Sequence, residues 1–184
     1  MLKNIVIFLV IVLVMFTFPM TTYAIPERGD VIAEVSFGLE NSPNTQNARI
    51  AAQMINGKIL QPGEEFSFNR TTGPRTLEKG FILGDFPYRL SDGSIVHGKE
   101  VASGVCRIST ALFGLALNAH FPITERSAHD IPVGYVPAGR DATVNYDPNS
   151  WYDLRFVNDR TYPVKILISI DEKNRVLGQL IRAN

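Results

Sequence analysis

The sequence predicts an α+β fold in which an antiparallel sheet packs against a long central helix. Apolar side chains recur at helical spacing from near Gly104 to Ala119, which indicates a helix with one buried face. After Pro122, short runs of alternating apolar and polar residues are separated by turn sequences, as is typical of antiparallel strands. These two patterns are the main evidence for the fold class.

The first 24 residues have the pattern of a secretory signal. Lys3 supplies a positive start, residues 5–18 are almost entirely apolar, and Thr22-Tyr23-Ala24 ends in small residues. We predict cleavage after Ala24. The alternative is an uncleaved membrane anchor, although the run is shorter than the roughly 20 residues that a spanning helix needs. Residues 25–184 are then predicted to form one extracytoplasmic domain.

The first half of this domain contains several predicted elements. A strand is expected at 31–37, and a helix is expected from Ser42-Pro43 to Gly57, with Ser42 as its cap. Residues 59–60 and 66–68 are predicted to pair as a hairpin around Pro62-Gly63. Residues 69–84 are interpreted as an ordered loop, and Asp92-Gly93 as a tight turn between strands at 86–90 and 95–97.

Six strands are predicted after the central helix. They cover residues 123–126, 133–136, 142–146, 154–157, 164–170 and 176–181. The turn sequences at 158–161 and 171–174 predict that the last three form an antiparallel meander.

Charge and cysteine content narrow the class of protein. Lysine and arginine together number 18, as do aspartate and glutamate, and no basic run is present, so nucleic acid is not an expected partner. Cys106 is the only cysteine, which excludes an internal disulfide. No histidine or cysteine pair has the spacing of a zinc site, so we predict neither a metal nor a cofactor.

Cys106 falls in the first turn of the predicted central helix. Unpaired amides and the positive end of the helix dipole stabilise a thiolate there, which favours a nucleophile near neutral pH. Ser103 is a candidate cap, and Gly104 is expected to let a substrate backbone approach. The alternatives are a binding pocket or a buried cysteine that acts as a small apolar residue.

A cysteine nucleophile needs a base and a group that orients it. His120 lies about 21 Å along the helix axis from Cys106 at 1.5 Å per residue, too far to reach the thiol. His97 remains possible, and His129 is preferred because it follows the helix on a segment expected to return along it. Asp141 is the preferred orienting carboxylate, with Asp130 and Glu125 as alternatives.

The order Cys, His, Asp is that of papain-like and transglutaminase-like folds, and by analogy it predicts such an arrangement here. Arg75 and Arg140 lie in loops expected to flank the helix. A guanidinium can clamp a carboxylate or phosphate, so both are candidate substrate-binding residues along with Ser103 and Gly104. Ordinary solvated surface charge is the alternative for the arginines.

Several ordered motifs resemble the VanW family. They are PGEEFSFN at 62–69, GPRT at 73–76, GVC at 104–106 with ST at 109–110, ER at 125–126 with His129, YVP at 135–137, GRDATV at 139–144 and LRFVN at 154–158. The resemblance covers roughly residues 45–170. Members usually have a longer glycine run before the cysteine, where this chain has Ala102-Ser103-Gly104, and Gln after it, where this chain has Arg107. A side-chain amide can stabilise an oxyanion, so Arg107 is the departure that bears most on catalysis.

The resemblance implies a cell-envelope protein associated with glycopeptide resistance, with peptidoglycan or its precursors as partner. One hypothesis is an amide hydrolase or acyl or peptidyl transferase in which Cys106 attacks a stem-peptide carbonyl, His129 moves the proton and Asp141 orients it. The other is a non-catalytic binder of a wall component, with Arg75, Arg140 and the cysteine loop lining its groove.

Overall fold

A computed structural model describes residues 30–183, and the predicted signal segment lies outside the described residues. Their strands and helices follow one another in this order: β1 Val31–Gly38, α1 Pro43–Ile55, β2 Ile59–Leu60, β3 Glu65–Ser67, α2 Phe68–Thr72, a 3-10 turn Leu77–Lys79, β4 Leu83–Arg89, β5 Ile95–Val101, α3 Cys106–Asn118, β6 Ile123–Glu125, β7 Asn145–Asp147, β8 Ser150–Tyr152, β9 Arg155–Val157, β10 Val164–Ile170 and β11 Arg175–Arg182.

The largest sheet has four antiparallel strands in the order β1-β11-β10-β2. Helix α1 packs against β10, and α3 packs against β1 and β11. The apolar stripe of α3 is buried, with Ile108, Leu112 and Leu115 fully covered. The predicted α+β class with antiparallel sheets is therefore confirmed. A single long central helix is not seen, because α1 and α3 each have 13 residues and both pack on this sheet.

A second sheet has the order β3-β9-β6 and is also antiparallel. Here the predicted hairpin between residues 59–60 and 66–68 is wrong, because β2 pairs with β10 while β3 pairs with β9. Phe66 lies opposite Phe156 with ring centroids 4.8 Å apart, so burial of two aromatic rings determines this pairing rather than the local turn. The predicted meander holds for β10 and β11 only, because β9 belongs to this smaller sheet.

Three further expectations differ from the structure. Residues 133–136 form an irregular segment rather than a strand, and their Tyr135 stacks on Phe37 with ring centroids 5.7 Å apart. Residues 69–84 are not a continuous loop, since α2 and the 3-10 turn lie within them. Ser42 occupies the N-cap position of α1, but its hydroxyl makes no capping hydrogen bond.

Candidate active site

The turn that precedes α3 places Cys106 at the first residue of that helix. Gly104 adopts φ 106°, and a Cβ there would lie 2.3 Å from the backbone oxygen of Asn44. The missing side chain of Gly104 therefore lets α1 pack against the cysteine turn, and its expected role in the approach of a substrate backbone stays a prediction. Ser103 does not cap α3, because Val105 is the N-cap residue and the Ser103 hydroxyl donates to the carbonyl of Asp85.

Two buried asparagines of α1 hold this turn in place, and neither was predicted from the sequence. Asn47 donates to the carbonyl oxygens of Ile82 and Ser103, at 2.9 and 2.8 Å. Asn44 donates to the carbonyl of Asp85 and accepts from its N–H. The available signal was a pair of amides one turn apart on the helical face that also carries the buried alanines.

The sulfur of Cys106 faces the segment before β7. It accepts from the N–H of Val144 at 3.5 Å and lies 3.7 Å from the hydroxyl oxygen of Thr143. The carbonyl oxygen of Val144, at 3.6 Å, accepts only from the protonated thiol. Ser109 and Thr110 of α3 tie the same segment to the helix through the backbone of Ala142. The thiol is therefore held by two elements linked to each other.

His129 lies between the thiol and a carboxylate. Its Nδ1 atom is 2.6 Å from Oδ2 of Asp141, so Nε2 is the ring nitrogen left to interact with Cys106. Arg126 fixes the other side of Asp141, with Nη2 3.2 Å from Oδ1 and Nε donating to the backbone oxygen. The three residues expected to form a catalytic group are thus adjacent in space.

Electrostatics in this group favour a charged pair. Burial raises the pKa of the Cys106 thiol, but the hydrogen bond and charge of His129, with the N–H of Val144, outweigh burial and lower the pKa below the ordinary value. Burial lowers the pKa of His129, but its interactions with Cys106 and then Asp141 raise the pKa overall. Burial also raises the pKa of Asp141, and hydrogen bonds from His129 reverse that effect. Both shifts favour the charged form of the group concerned, a thiolate at Cys106 and an imidazolium at His129.

A cavity of about 820 Å³ opens at Cys106. It is within the range of sites that hold small ligands. Arg75, Ser103 and Gly104 line it together with Cys106 and His129. Arg140 does not line it and is exposed to solvent.

The other candidate acids and bases make no hydrogen bond to Cys106 or to the ring of His129, although Asp130 lines the cavity. His97 and His120 do not line the cavity, and His120 follows the end of α3 with φ 56°. Glu125 forms an ion pair with Arg155, and Asp130 forms one with Arg89. Of the three histidines, His129 is thus the one positioned for the thiol.

Arg75 reaches the cavity from the loop that follows α2. Its Nη1 donates to Asn69 Oδ1 at 3.0 Å and to Thr72 Oγ1 at 3.1 Å, and its guanidinium stacks over the rings of Phe68 and Tyr146. Burial lowers the pKa of Arg75, and the negative charge of Cys106 is the strongest opposing effect. Arg75 therefore faces the thiolate from a rigid platform.

Fold and site together define an α+β protein with a histidine-paired cysteine at the start of a helix, open to a ligand-sized cavity. Within residues 30–183, no group of three or more His, Cys, Asp and Glu side chains is placed to hold a metal ion, and no helix has the length and hydropathy to cross a bilayer. The chain belongs to the family described as VanW like protein, which matches residues 43–181.

Two curated proteins are similar over most of this chain. The uncharacterized protein YoaR of Bacillus subtilis (strain 168) is 34% identical over 130 residues, covering 71% of this chain and 40% of its own length. The vancomycin B-type resistance protein VanW of Enterococcus faecalis (strain ATCC 700802 / V583) is 32% identical over 143 residues, covering 73% of this chain and 47% of its own length. The chain therefore spans less than half the length of these relatives. No solved structure matches it.

Proposed function

We propose that this protein is an exported, cysteine-dependent amide hydrolase or acyl or peptidyl transferase that acts on peptidoglycan stem peptides. The observation that carries the proposal is the placement of His129 between Cys106 and Asp141 at the edge of an open cavity. A structural cysteine needs neither a paired imidazole nor access to a cavity. The cell-wall setting is supported by the name of the VanW relative and by the signal-like pattern of residues 1–24.

The proposed reaction begins when the Cys106 thiolate attacks the carbonyl carbon of an amide. The carbon–nitrogen bond then breaks, and the imidazolium of His129 gives its proton to the departing amine. The product is an acyl-enzyme thioester. Water or a second amine attacks the thioester, neutral His129 accepts the proton of that nucleophile, and the carbon–sulfur bond breaks so that Cys106 leaves as the thiolate. Water gives hydrolysis, and an amine gives transfer.

Asp141 positions the base rather than reacting. Because its Oδ2 atom accepts from both the ring and the backbone N–H of His129, it fixes the ring orientation and the proton on Nδ1. The order Cys, His, Asp is shared with papain-like and transglutaminase-like enzymes, and the proposal takes from that analogy only the roles of the three residues.

The test is digestion of purified peptidoglycan by the protein with residues 1–24 removed, followed by separation of the released fragments. We expect wild type to release or join stem-peptide fragments and Cys106→Ala to do neither. Cys106→Ser is a matched variant that keeps the size of the side chain. If Cys106→Ala processed the wall as well as wild type, the enzymatic proposal would be wrong.

A second candidate is a non-catalytic binder of the same wall components. The cavity with Arg75 favours it, since a guanidinium on a rigid platform binds an anionic group without any reaction. Calorimetry with soluble peptidoglycan fragments separates the two. Binding heat that is unchanged in Cys106→Ala, with no turnover by wild type, would favour the binder.

A further inference from the structure

Two arginines line the cavity without an acidic partner. Arg75 and Arg107 both line it, and neither takes part in the ion pairs of residues 30–183. The remaining arginine of the lining, Arg89, is paired with Asp130 at 3.2 Å. An unpaired guanidinium held in a partly covered site is costly unless an anion neutralises it.

Arg107 directly follows Cys106 in α3 and is held by an aromatic ring. Its guanidinium lies 5.6 Å from the ring centroid of Tyr135, and Tyr135 in turn stacks on Phe37. The Nε atom of Arg107 is buried and has no hydrogen-bond partner. Because a buried N–H donor without a partner carries a penalty of desolvation, this atom points to an acceptor that the protein itself does not provide.

Acidic side chains of the lining do not neutralise these arginines. Glu100 and Glu40 are exposed, and neither takes part in the ion pairs of residues 30–183, although the charge of Glu100 acts on Arg75 from beyond ion-pair distance. Asp85 is paired with Lys99 at 2.6 Å. Among the negative charges around Arg75, that of the Cys106 thiolate does most to raise the pKa of Arg75 against the effect of burial. This charge is lost once the sulfur is acylated.

We infer that Arg75 and Arg107 form an anion subsite beside Cys106, so that the substrates are peptides or acyl compounds with a free carboxylate close to the reacting carbonyl. This inference rests on the proposed nucleophile and names the substrate class of the same site. Acylation removes the thiolate charge and leaves both guanidiniums to the substrate carboxylate. The site then acts near the carboxyl terminus of a peptide rather than within a long chain.

A pair of alkylating reagents tests this without knowledge of the natural substrate. Iodoacetate and iodoacetamide have nearly the same shape, but only iodoacetate carries a carboxylate, one bond from the carbon that reacts. In both cases the thiolate forms a sulfur–carbon bond as the carbon–iodine bond breaks and iodide leaves. The measured quantity is the ratio of the two rate constants at pH 6.5, divided by the same ratio for free cysteine.

We expect the normalised ratio to favour iodoacetate by about tenfold in wild type, because two partly desolvated cations attract its carboxylate. Arg75→Gln and Arg107→Gln should each reduce the ratio by about fivefold, since glutamine keeps hydrogen-bond donors and removes the charge. Arg70→Gln is the matched control. Arg70 is exposed, pairs with Glu65 and does not line the cavity, so the ratio should stay at the wild-type value.

The outcomes distinguish this inference from the proposed function. Slow reaction with both reagents would contradict the nucleophile itself. Fast reaction with equal normalised rates, or a ratio unchanged in both arginine variants, would overturn the anion subsite and leave the nucleophile intact.

If circular dichroism shows that Arg75→Gln is unfolded, the rate ratio measured in Arg107→Gln and Arg75→Lys still tests the anion subsite. A second measurement is protection: succinate, but not the neutral succinamide, should slow iodoacetamide alkylation in wild type and not in Arg107→Gln. Equal protection by both compounds would also overturn the inference.

Discussion

Oδ2 of Asp141 accepts two hydrogen bonds from His129, one from the ring at 2.6 Å and one from the backbone N–H at 2.7 Å. One carboxylate oxygen therefore fixes both the position of the residue and the plane of its imidazole. Because Arg126 binds the other side of the carboxyl group, Asp141 cannot turn away without breaking an ion pair. The imidazole is held in place before any substrate binds, as general-base catalysis requires.

The first prediction concerns the reactivity of Cys106. Since His129 lowers the thiol pKa against the effect of burial, wild type should be alkylated by iodoacetamide well below the ordinary thiol pKa. In His129→Gln, less remains to offset the rise in thiol pKa that burial causes. The pH at which the alkylation rate is half-maximal should therefore increase. At pH 6.5 we expect the rate to fall on the order of tenfold or more. Stopped-flow or mass-spectrometric alkylation across pH 5–9 measures it.

His97→Gln is the matched control, because His97 is exposed on β5 and does not line the cavity. Its alkylation profile should overlay that of wild type. A wild-type midpoint at the value of free cysteine, or one that His129→Gln leaves in place, would contradict the thiolate–imidazolium pair.

The second prediction concerns stability against pH in Asp141→Asn. The pKa of Asp141 is lowered in the folded protein, so its contribution is present above the ordinary value of 3.8 and is lost as pH falls through the lower folded pKa. At neutral pH, Asp141→Asn should reduce the free energy of unfolding by about 1–3 kcal/mol, because Arg126 and His129 lose a charged acceptor. That difference should shrink as the pH falls below the ordinary value.

Urea unfolding at several pH values gives the difference between variant and wild type. Asp130→Asn serves as control, since Asp130 is exposed and forms only a surface ion pair with Arg89, worth about 0–1 kcal/mol. A difference between Asp141→Asn and wild type that is the same at acidic and neutral pH would contradict the assignment.

How far the sequence predicts this site depends on the range of the interactions involved. The helical spacing after Cys106 is local information, and it located the start of α3 correctly. His129 and Asp141 were reached by excluding His120 and by the order of the chain. The structure places His129 beside the thiol and Asp141 on the far side of His129, whereas Arg140, chosen for its position in a loop, lies outside the cavity.

Long-range pairing explains most of what the sequence did not predict. The Pro62-Gly63 turn favoured a hairpin, but β3 instead pairs with β9, where Phe66 meets Phe156 from 90 residues further along the chain. Asparagine is mostly exposed in proteins, yet Asn47 is buried and donates hydrogen bonds to the carbonyl oxygens of Ile82 and Ser103. Such amides are recognisable only once the acceptors are in place.

The third prediction tests the close packing of α1 on the cysteine turn. Gly104→Ala introduces a Cβ 2.3 Å from the backbone oxygen of Asn44 at φ 106°. We expect it to lower the free energy of unfolding by more than about 2 kcal/mol, since overpacking adds to the strain of a positive φ. Thermal or urea unfolding measures the loss, and alkylation of Cys106 should become less dependent on pH as the turn moves.

Gly139→Ala separates the effect of overpacking from that of backbone strain. Gly139 has φ 79°, but a Cβ there meets nothing within 4 Å, so only backbone strain of about 1–2 kcal/mol is expected. Equal destabilisation in the two variants would show that contact with Asn44 contributes nothing.

The last prediction concerns Asp153, a fully buried carboxylate with no role predicted from the sequence. It accepts from Ser67 Oγ at 2.6 Å, from the N–H groups of Asn69 and Leu154 at 2.9 and 2.8 Å, and from Arg155 Nε at 2.9 Å. In Asp153→Asn an amide NH₂ faces two of these donors, because each carboxylate oxygen accepts from two, so the unfolding free energy should fall by about 2–4 kcal/mol. Urea unfolding measures this loss.

Asp159→Asn, at an exposed surface pair, should cost about 0–1 kcal/mol and serves as the control for Asp153→Asn. Loss of the Asp153 carboxylate should also affect the cavity. Asp153 accepts a hydrogen bond from the N–H of Asn69, and Asn69 Oδ1 in turn accepts one from Arg75. The preference of Cys106 for iodoacetate should therefore weaken in folded Asp153→Asn and persist in Asp159→Asn. An unchanged preference in the destabilised variant would mean that Arg75 is held by its stacking on Phe68 and Tyr146 rather than by the network that Asp153 anchors.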